Sequence, residues 1–184
     1  MTLRTAPARP AQPRVQPLAP KDLSAEQREF IAPFTDPQGR IANVFATLLR
    51  HLPLLRAWRP FGLYAMRGSR LDPVQREVAI LRTARRTDCA YEWAHHREIG
   101  ERLGMPPALF AAIAEEAPFA DADQALIARA ADELVRDHCL SDTTWQDAMA
   151  TLGLEMTLDL IYTVGAYTTM AMALNSCGVA LETE

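Results

Sequence analysis

The chain has 184 residues, of which 49% are hydrophobic, and its formal net charge is −4. This length supports a core of ordinary size, and so large an apolar fraction excludes an intrinsically disordered protein. A net negative charge gives no electrostatic basis for binding nucleic acid. The three cysteines are widely spaced, which indicates neither a disulfide framework nor a zinc motif and favours a cytoplasmic location.

Proline and arginine dominate the first twenty residues, which contain no apolar segment like that of a signal peptide. We predict an extended, flexible arm over residues 1–20, either mobile or lying on a neighbouring chain. A single helical domain is predicted over residues 21–184. Nearly all basic residues are arginine, and alanine is abundant. We interpret this bias as the mark of a GC-rich bacterial genome.

Helix signals follow one another along the rest of the chain. Ser24 opens a capping box, Asp72 precedes Pro73, and Gly104 and Gly178 end apolar segments; such residues mark the ends of helices. The predicted helices cover about residues 24–32, 41–49, 54–66, 73–86, 88–103, 107–115, 121–138 and 155–177, with one more beginning near residue 142. No segment shows sustained alternation with a period of two, so we predict an all-α fold.

The last long segment includes LDLIYTVGAYTTMAMAL, which is apolar on all sides. Asp159 and several threonines interrupt it, and it has no basic flanks, so we predict that it does not span a membrane. A helix of this kind is typical of a protein core or of a subunit interface. Its small residues, among them Gly165 and Ala166, would let another helix approach closely.

Glu77 lies on the side of the 73–86 helix that we expect to be buried. It precedes Ile80 by three residues and Leu81 by four, and residues at these offsets share one side of a helix. A carboxylate on an apolar face is costly to bury unless it has a partner or a raised pKa. Glu77 is therefore a candidate functional residue.

His96 occupies the matching position on the next helix. It lies three residues after Trp93 and three before Ile99, within the apolar stripe. Helices joined by so short a link usually pack antiparallel, and Glu77 and His96 both lie about 12–14 Å from the turn at about 1.5 Å per residue. We therefore predict that their side chains meet and act as a coupled acid and base.

Further polar side chains crowd the segment 88–98, DCAYEWAHHRE. Tyr91 and His95 are four residues apart and share another side of the helix, whereas Glu92 lies four residues before His96 and can contact it directly. His95 and His96 are adjacent and point about 100° apart. They are poor co-ligands, so we predict neither a metal site nor a cofactor.

The three cysteines have different predicted roles. Cys89 follows Asp88, a candidate helix cap, and a thiol in the first turn feels the positive end of the helix dipole. We therefore expect a partly exposed Cys89 thiol with a lowered pKa. Cys139 and Cys177 are predicted to be buried structural thiols.

These residues resemble the carboxymuconolactone decarboxylase superfamily, which includes the AhpD-like alkylhydroperoxidases. Glu77, Cys89 and His96 stand at the places of the glutamate, the first cysteine and the histidine of the AhpD-like relay, whose motif is Cys-x-x-Cys-x-x-x-His. Glu92 replaces the second cysteine, and Tyr91 replaces the histidine that often precedes it. The segment YEWAHH is similar to the sequences of the branch that is grouped with the decarboxylases.

The resemblance covers about residues 40–180, since LLRHLPLLRAWRPFG and LDLIYTVGAYTTMAMALNSCGV are also similar to that branch. It implies an AhpD-like helical bundle that assembles into a homo-oligomer, as a dimer, trimer or hexamer. It also implies a pocket near the subunit contacts that accepts a small-molecule substrate.

Our first functional hypothesis is a lyase or isomerase that decarboxylates, or moves a proton on, a small organic acid or lactone. Glu77 and His96 would be the acid and base. Tyr91, Glu92 and His95 are the candidate substrate-binding residues. Arg82, which we otherwise expect on the outer side of its helix, is a further candidate for binding a carboxylate.

Two alternatives stay open. In the first, Cys89 is oxidised by peroxide to a sulfenic acid and reduced by an outside thiol, which is single-cysteine peroxiredoxin activity. Glu77 and His96 would then serve as the relay. In the second, the protein is a non-catalytic, oligomeric binder of small ligands.

Overall fold

The structure is a computed structural model, and it describes residues 9–182. In this part of the chain there are nine α-helices and no β-strand beyond an isolated bridge between Thr35 and Ile41. The all-α prediction is therefore confirmed. The helices are α1 (Ala25–Ile31), α2 (Asn43–Leu48), α3 (Leu52–Leu63), α4 (Pro73–Arg86), α5 (Ala90–Arg102), α6 (Pro107–Ile113), α7 (Ala122–Asp137), α8 (Asp142–Thr151) and α9 (Gly153–Cys177).

Capping side chains begin several helices where the sequence predicts them. At α4, an Asp72 carboxylate oxygen accepts a hydrogen bond from the N–H of Val74 at 2.9 Å. The Gln75 side chain in turn accepts one from the N–H of Asp72 at 3.2 Å. This capping box and the first-turn Pro73 fix the start of α4. They therefore fix the height at which Glu77 lies along the helix.

The helix predicted to end at about Met66 changes type near its end. The α-helix α3 stops at Leu63, and a π-helical turn continues it over Tyr64–Gly68. The Tyr64 hydroxyl and the N–H of Arg70 both donate to the carboxylate of Asp159, each at 2.7 Å. These two bonds tie the first residue of the π-helical turn, and the backbone two residues after the turn, to α9.

The described chain divides into two compact units, one of which comprises residues 57–172. In this unit α4 packs against α5, α6 and α7, and α7 packs against α8. Its core is built mainly from buried aliphatic side chains on α4, α6, α7 and α9, including Val78, Leu81, Ile113, Ile127 and Leu160. The core fixes α4 and α5, which carry the predicted site residues.

The second unit comprises the described residues before 57 and from 173 onward. It has a core of its own around Leu23, Ile31 and Leu49. Within it, the N–H of Arg14 donates to the carbonyl of Cys177 at 2.8 Å, and the N–H of Leu18 donates to the carbonyl of Ala46 at 3.0 Å. These bonds hold residues 14–18 in place, where the sequence predicts a flexible arm. The first eight residues of that arm lie outside the described residues.

One side of α9 is buried and the other is not. Leu160 and Val164 are buried, whereas Leu154, Leu158, Tyr162 and Met172 are exposed. The exposed apolar side is what a subunit interface requires, and the homo-oligomer stays a prediction. Across residues 9–182, no helix is both long enough and apolar enough to cross a membrane.

Candidate active site

Glu77 and His96 meet between α4 and α5, as their positions in the sequence predict. The Nδ1 atom of His96 lies 2.8 Å from the Oε2 atom of Glu77. Both side chains are buried, with 3% of Glu77 and 8% of His96 exposed. The link between the helices is short, and the N–H of Cys89 donates to the carbonyl of Ala84 at 2.9 Å. This bond brings the start of α5 back onto the end of α4.

The contact with Glu77 orients the imidazole of His96. A carboxylate oxygen can only accept a hydrogen bond, so Nδ1 of His96 carries the hydrogen and Nε2 remains for proton exchange. The ring of Tyr167 on α9 packs against the His96 ring at right angles, with 4.9 Å between the ring centroids. The imidazole is thus held on one side by a charge partner and on the other by an aromatic ring.

Tyr167 is a residue of this site that the sequence analysis missed. Its side chain is half-buried. Burial, together with the negative charges of Glu77 and Glu92, raises the pKa of the phenol well above its usual 10. The hydroxyl therefore stays protonated. In the sequence, the only signal was a polar aromatic residue within an apolar helix, about 70 residues away from His96.

Glu92 is buried beside Glu77 and His96 but forms no hydrogen bond with either. Only 3% of the residue is exposed, and neither carboxyl oxygen has a hydrogen-bond partner among the described residues. The predicted direct contact with His96 is therefore absent as a hydrogen bond. Burial raises the pKa of Glu92 to about 8, against a smaller opposing effect of the Cys89 thiol. At neutral pH Glu92 is mostly an uncharged carboxylic acid.

The expectation of an exposed, acidic Cys89 thiol is wrong. Asp88 adopts a left-handed backbone conformation with φ 50°, and Cys89 itself is the N-cap residue, without a side-chain capping bond. The thiol is 1% exposed, and burial together with the neighbouring Glu92 raises its pKa to about 12. Desolvation thus outweighs the helix dipole, and Cys89 is a neutral thiol at neutral pH.

The other two cysteines are not the buried thiols that the sequence predicts. Cys139 is exposed and Cys177 is half-buried. Cys139 follows the left-handed residue His138 at the end of α7, and its thiol donates to the carbonyl of Leu140 at 3.2 Å. The helix ends before this thiol, so it is not carried into the core.

Tyr91 and His95 lie together on α5, as their spacing predicts. Their ring centroids are 4.4 Å apart, and Tyr91 is buried while His95 is half-buried. Their predicted role in binding substrate is untested. In residues 9–182, no group of three or more His, Cys, Asp or Glu side chains is placed to hold a metal ion.

Arg82 is neither on the outer side of α4 nor available to a substrate. Only 6% of it is exposed. Its guanidinium donates to both carboxylate oxygens of Asp132 on α7, at 2.6 and 2.7 Å, and to the carbonyl of Ile113 at 2.7 Å. These bonds occupy the guanidinium and fasten α4 to α6 and α7.

A cleft of about 480 Å³ opens at the start of α5. Its lining includes Cys89, Trp93, Arg97 and Phe110, but neither Glu77 nor His96. Arg97 pairs with Glu101 at 3.0 Å and lies over the ring of Phe110 at 5.4 Å. The cleft therefore reaches the thiol end of the site and not the carboxylate–imidazole pair.

The sequence of this chain is similar to one known protein family. Residues 53–133 match the model of the carboxymuconolactone decarboxylase family, and this segment includes Glu77, Cys89, Glu92 and His96. No curated protein sequence matches the chain.

Several solved structures share the fold. A peroxidase-related protein of uncharacterised function from Silicibacter sp. TM1040 is 17% identical over 100% of this chain and 96% of its own, with a TM-score of 0.77. A structure described as an alkylhydroperoxidase AhpD core, from Ralstonia eutropha JMP134, is 19% identical over 94% of both chains, with a TM-score of 0.78. A protein of unknown function from Agrobacterium tumefaciens is 13% identical over 74% of this chain and 96% of its own, with a TM-score of 0.68. At these identities the likeness establishes the fold.

Proposed function

Because this chain belongs to the carboxymuconolactone decarboxylase and AhpD-like superfamily, through its segment 53–133 and its fold, we propose that it is an enzyme that moves protons at carbon. Its substrate would be a small organic acid or lactone, and its reaction a decarboxylation or an isomerisation. The observation that carries this proposal is the buried contact of 2.8 Å between Glu77 and His96.

The chemistry follows from the orientation of His96. With its hydrogen on Nδ1 shared with Glu77, the neutral imidazole presents the lone pair of Nε2 and can remove a proton from carbon. In an isomerisation, the imidazolium returns that proton to another carbon. In a decarboxylation, the imidazole first takes a proton from solvent, and the imidazolium gives it to the carbanion left by loss of carbon dioxide. Glu77 offsets the positive charge that His96 gains. Acid–base help of this kind accelerates a reaction by about 10²–10⁴-fold.

The test of this proposal is turnover by the His96→Gln variant. Small β-keto acids and unsaturated lactone acids would be incubated with the protein in deuterated water and followed by NMR for deuterium uptake and loss of carbon dioxide. We expect His96→Gln to lose about 10²–10⁴-fold in rate while its helix content is unchanged. His138→Asn, at the exposed histidine that ends α7, is the control and should turn over as wild type does. Wild-type rates in His96→Gln would contradict the proposal.

A second candidate function is peroxide reduction by Cys89, because this thiol lines the cleft at the start of α5. Attack on peroxide requires a thiolate, and a thiol with a pKa of about 12 forms very little of it. We therefore rank this function below proton transfer. Peroxide consumption by wild type that disappears in Cys89→Ser, but persists in Cys139→Ser, would reverse the ranking.

A further inference from the structure

Two polar groups beside the Glu77–His96 pair take no part in the proton transfer proposed above. They are the hydroxyl of Tyr167 and the carboxyl of Glu92. Both carboxyl oxygens of Glu92 are buried without a hydrogen-bond partner among the described residues, and the half-buried Tyr167 side chain packs against His96 through its ring. Buried polar groups are almost always bonded, and one that is not calls for an explanation such as a ligand or a catalytic role.

The two groups lie around His96 from different helices. Glu92 is one turn before His96 on α5, and the Tyr167 ring on α9 packs against the imidazole at 4.9 Å. The two groups therefore belong to one small region next to the proposed acid–base pair.

Both groups are uncharged hydrogen-bond donors at neutral pH. The charged and titratable groups that face them are Cys89 on α5 and Glu77 and Arg76 on α4, apart from His96 itself. Cys89 is a neutral thiol, and the positive charge of Arg76 only partly offsets the carboxylates at Tyr167. A phenol and a carboxylic acid that keep their hydrogens can both donate to one oxygen atom.

Proton transfer at carbon creates a need for such donors. When a β-keto acid loses carbon dioxide, the electrons of the broken carbon–carbon bond move onto the neighbouring carbonyl, which becomes an enolate. Protonation of the enolate carbon by the His96 imidazolium then regenerates the carbonyl. Neutral donors in an apolar surrounding stabilise the enolate oxygen in this step, as a tyrosine and a protonated aspartate do in ketosteroid isomerase.

We infer that Tyr167 and Glu92 form an oxyanion site, which binds the substrate carbonyl oxygen and donates two hydrogen bonds to it as it becomes an enolate oxygen. This inference rests on the proposed function. It limits the substrates to acids and lactones whose carbonyl is conjugated to the carbon that loses carbon dioxide or a proton. It also gives Glu92, which replaces a cysteine of the AhpD-like motif, a role other than redox chemistry.

The probe for this site is 3,4-dinitrophenol, a planar oxyanion that is ionised at neutral pH and resembles an enolate. Its binding to the full chain would be followed by visible absorption. We expect wild type to bind the phenolate and Tyr167→Phe to bind it about ten- to hundredfold more weakly, the effect of one hydrogen bond to a charged oxygen. Glu92→Met, which removes the other donor, should weaken binding by a similar factor. Tyr162→Phe, which changes an exposed tyrosine of the same helix, is the control and should bind normally.

The pH profile separates an oxyanion site from a merely structural role. Phenolate affinity of wild type should fall as pH rises through about 8, because Glu92 loses its hydrogen there. In Glu92→Gln, which keeps the N–H donors but does not titrate, this fall should disappear. A structural role of Glu92 would give the same profile in both proteins.

Failure of this inference is distinguishable from failure of the proposed function. His96→Gln should lose turnover but still bind the phenolate. If wild type does not bind the phenolate, or if Tyr167→Phe and Glu92→Met both bind it as wild type does, the oxyanion site is wrong even where His96→Gln abolishes turnover. If His96→Gln turns over normally, the proposed function is wrong instead.

Discussion

Two polar clusters include residues of α4, one of them partly exposed and the other largely buried, and they differ in how completely their polar groups are hydrogen-bonded. The arginine cluster consists of Arg82, Arg86, Asp132 and Glu115. In it, Asp132 accepts hydrogen bonds from both guanidiniums at 2.6–2.8 Å, and Glu115 accepts from both at 2.8–3.2 Å. The guanidiniums and carboxylates of this cluster are thus hydrogen-bonded to one another. These bonds join α4 to α7 and to the residues after α6.

The relay cluster, made of Glu77, His96, Glu92, Cys89 and Tyr167, is only partly bonded. It contains the 2.8 Å bond between Glu77 and His96. The carboxyl of Glu92 has no partner among the described residues. Satisfied networks rigidify a fold, whereas an unsatisfied buried group carries a free-energy cost. The arginine cluster therefore stabilises the fold, whereas the relay cluster leaves the Glu92 carboxyl without a partner, as the proposed oxyanion site requires.

The largest effect that we expect from this comparison is a gain of stability in Glu92→Gln. The pKa of Glu92 is raised from 4.5 in the unfolded chain to about 8 in the folded one, so folding retains a proton that the unfolded state loses. Wild type therefore loses stability as pH rises from 4.5 to about 8, by up to about 5 kcal/mol. Glu92→Gln does not titrate and should escape this loss. Urea unfolding across that range measures the difference.

The matched control for Glu92→Gln is Glu98→Gln, an exposed residue of the same helix. Its stability relative to wild type should stay within about 0.5 kcal/mol at every pH. A parallel pH profile for wild type and Glu92→Gln would mean that Glu92 is solvated or bonded, and the contrast between the clusters would fail.

The next largest effect concerns the arginine cluster. Arg82→Met keeps apolar bulk but leaves the Ile113 carbonyl unbonded and Asp132 with a single partner, so it should destabilise the fold by about 3–5 kcal/mol. Burial favours the protonated form of Asp132, but the bonds from Arg86 and Arg82 lower its pKa below 3.8. The contribution of Asp132 is therefore present above that value and is lost on acidification through the folded pKa.

Urea unfolding at neutral pH measures the effect of Arg82→Met. Arg85→Met, on the exposed side of α4, is the control and should change stability by less than about 0.5 kcal/mol. If the two variants unfold at the same urea concentration, the arginine cluster does not stabilise the protein.

The smallest effect should come from Arg86→Ala. The Arg86 side chain is a third exposed, and its removal leaves Asp132 bonded to Arg82. Solvent screening limits the loss to about 1 kcal/mol. A loss as large as that of Arg82→Met would show that the two arginines act as one unit, which a double variant would resolve by departing from additivity.

The sequence predicts the scaffold of the relay cluster well. Asp72 and Pro73 give the start of α4, and counting residues from the turn places Glu77 opposite His96, where the structure has them. These inferences depend only on helix geometry and on a short link. They need no knowledge of what lies across from each helix.

The remaining features depend on burial by distant elements, which spacing does not reveal. The position of Cys89 at a helix start predicts an acidic thiol, but the residue follows the left-handed turn at Asp88 and is buried. Helix spacing puts Arg82 on the outer side of α4, because its partner Asp132 is 50 residues away in the sequence. Tyr167 reaches His96 only through the packing of α9.

The most direct test of the relay is NMR of the full chain with ¹⁵N-labelled histidine at neutral pH. His51 is an internal reference, because its Nδ1 accepts a hydrogen bond from the N–H of Leu54 at 3.1 Å and so carries no hydrogen. We expect the opposite at His96, with a hydrogen on Nδ1 that exchanges slowly with water and a signal that shifts in Glu77→Gln while that of His51 does not. The account would be contradicted if Nδ1 of His96 carried no hydrogen, or if the ¹⁵N signals of His96 did not shift in Glu77→Gln.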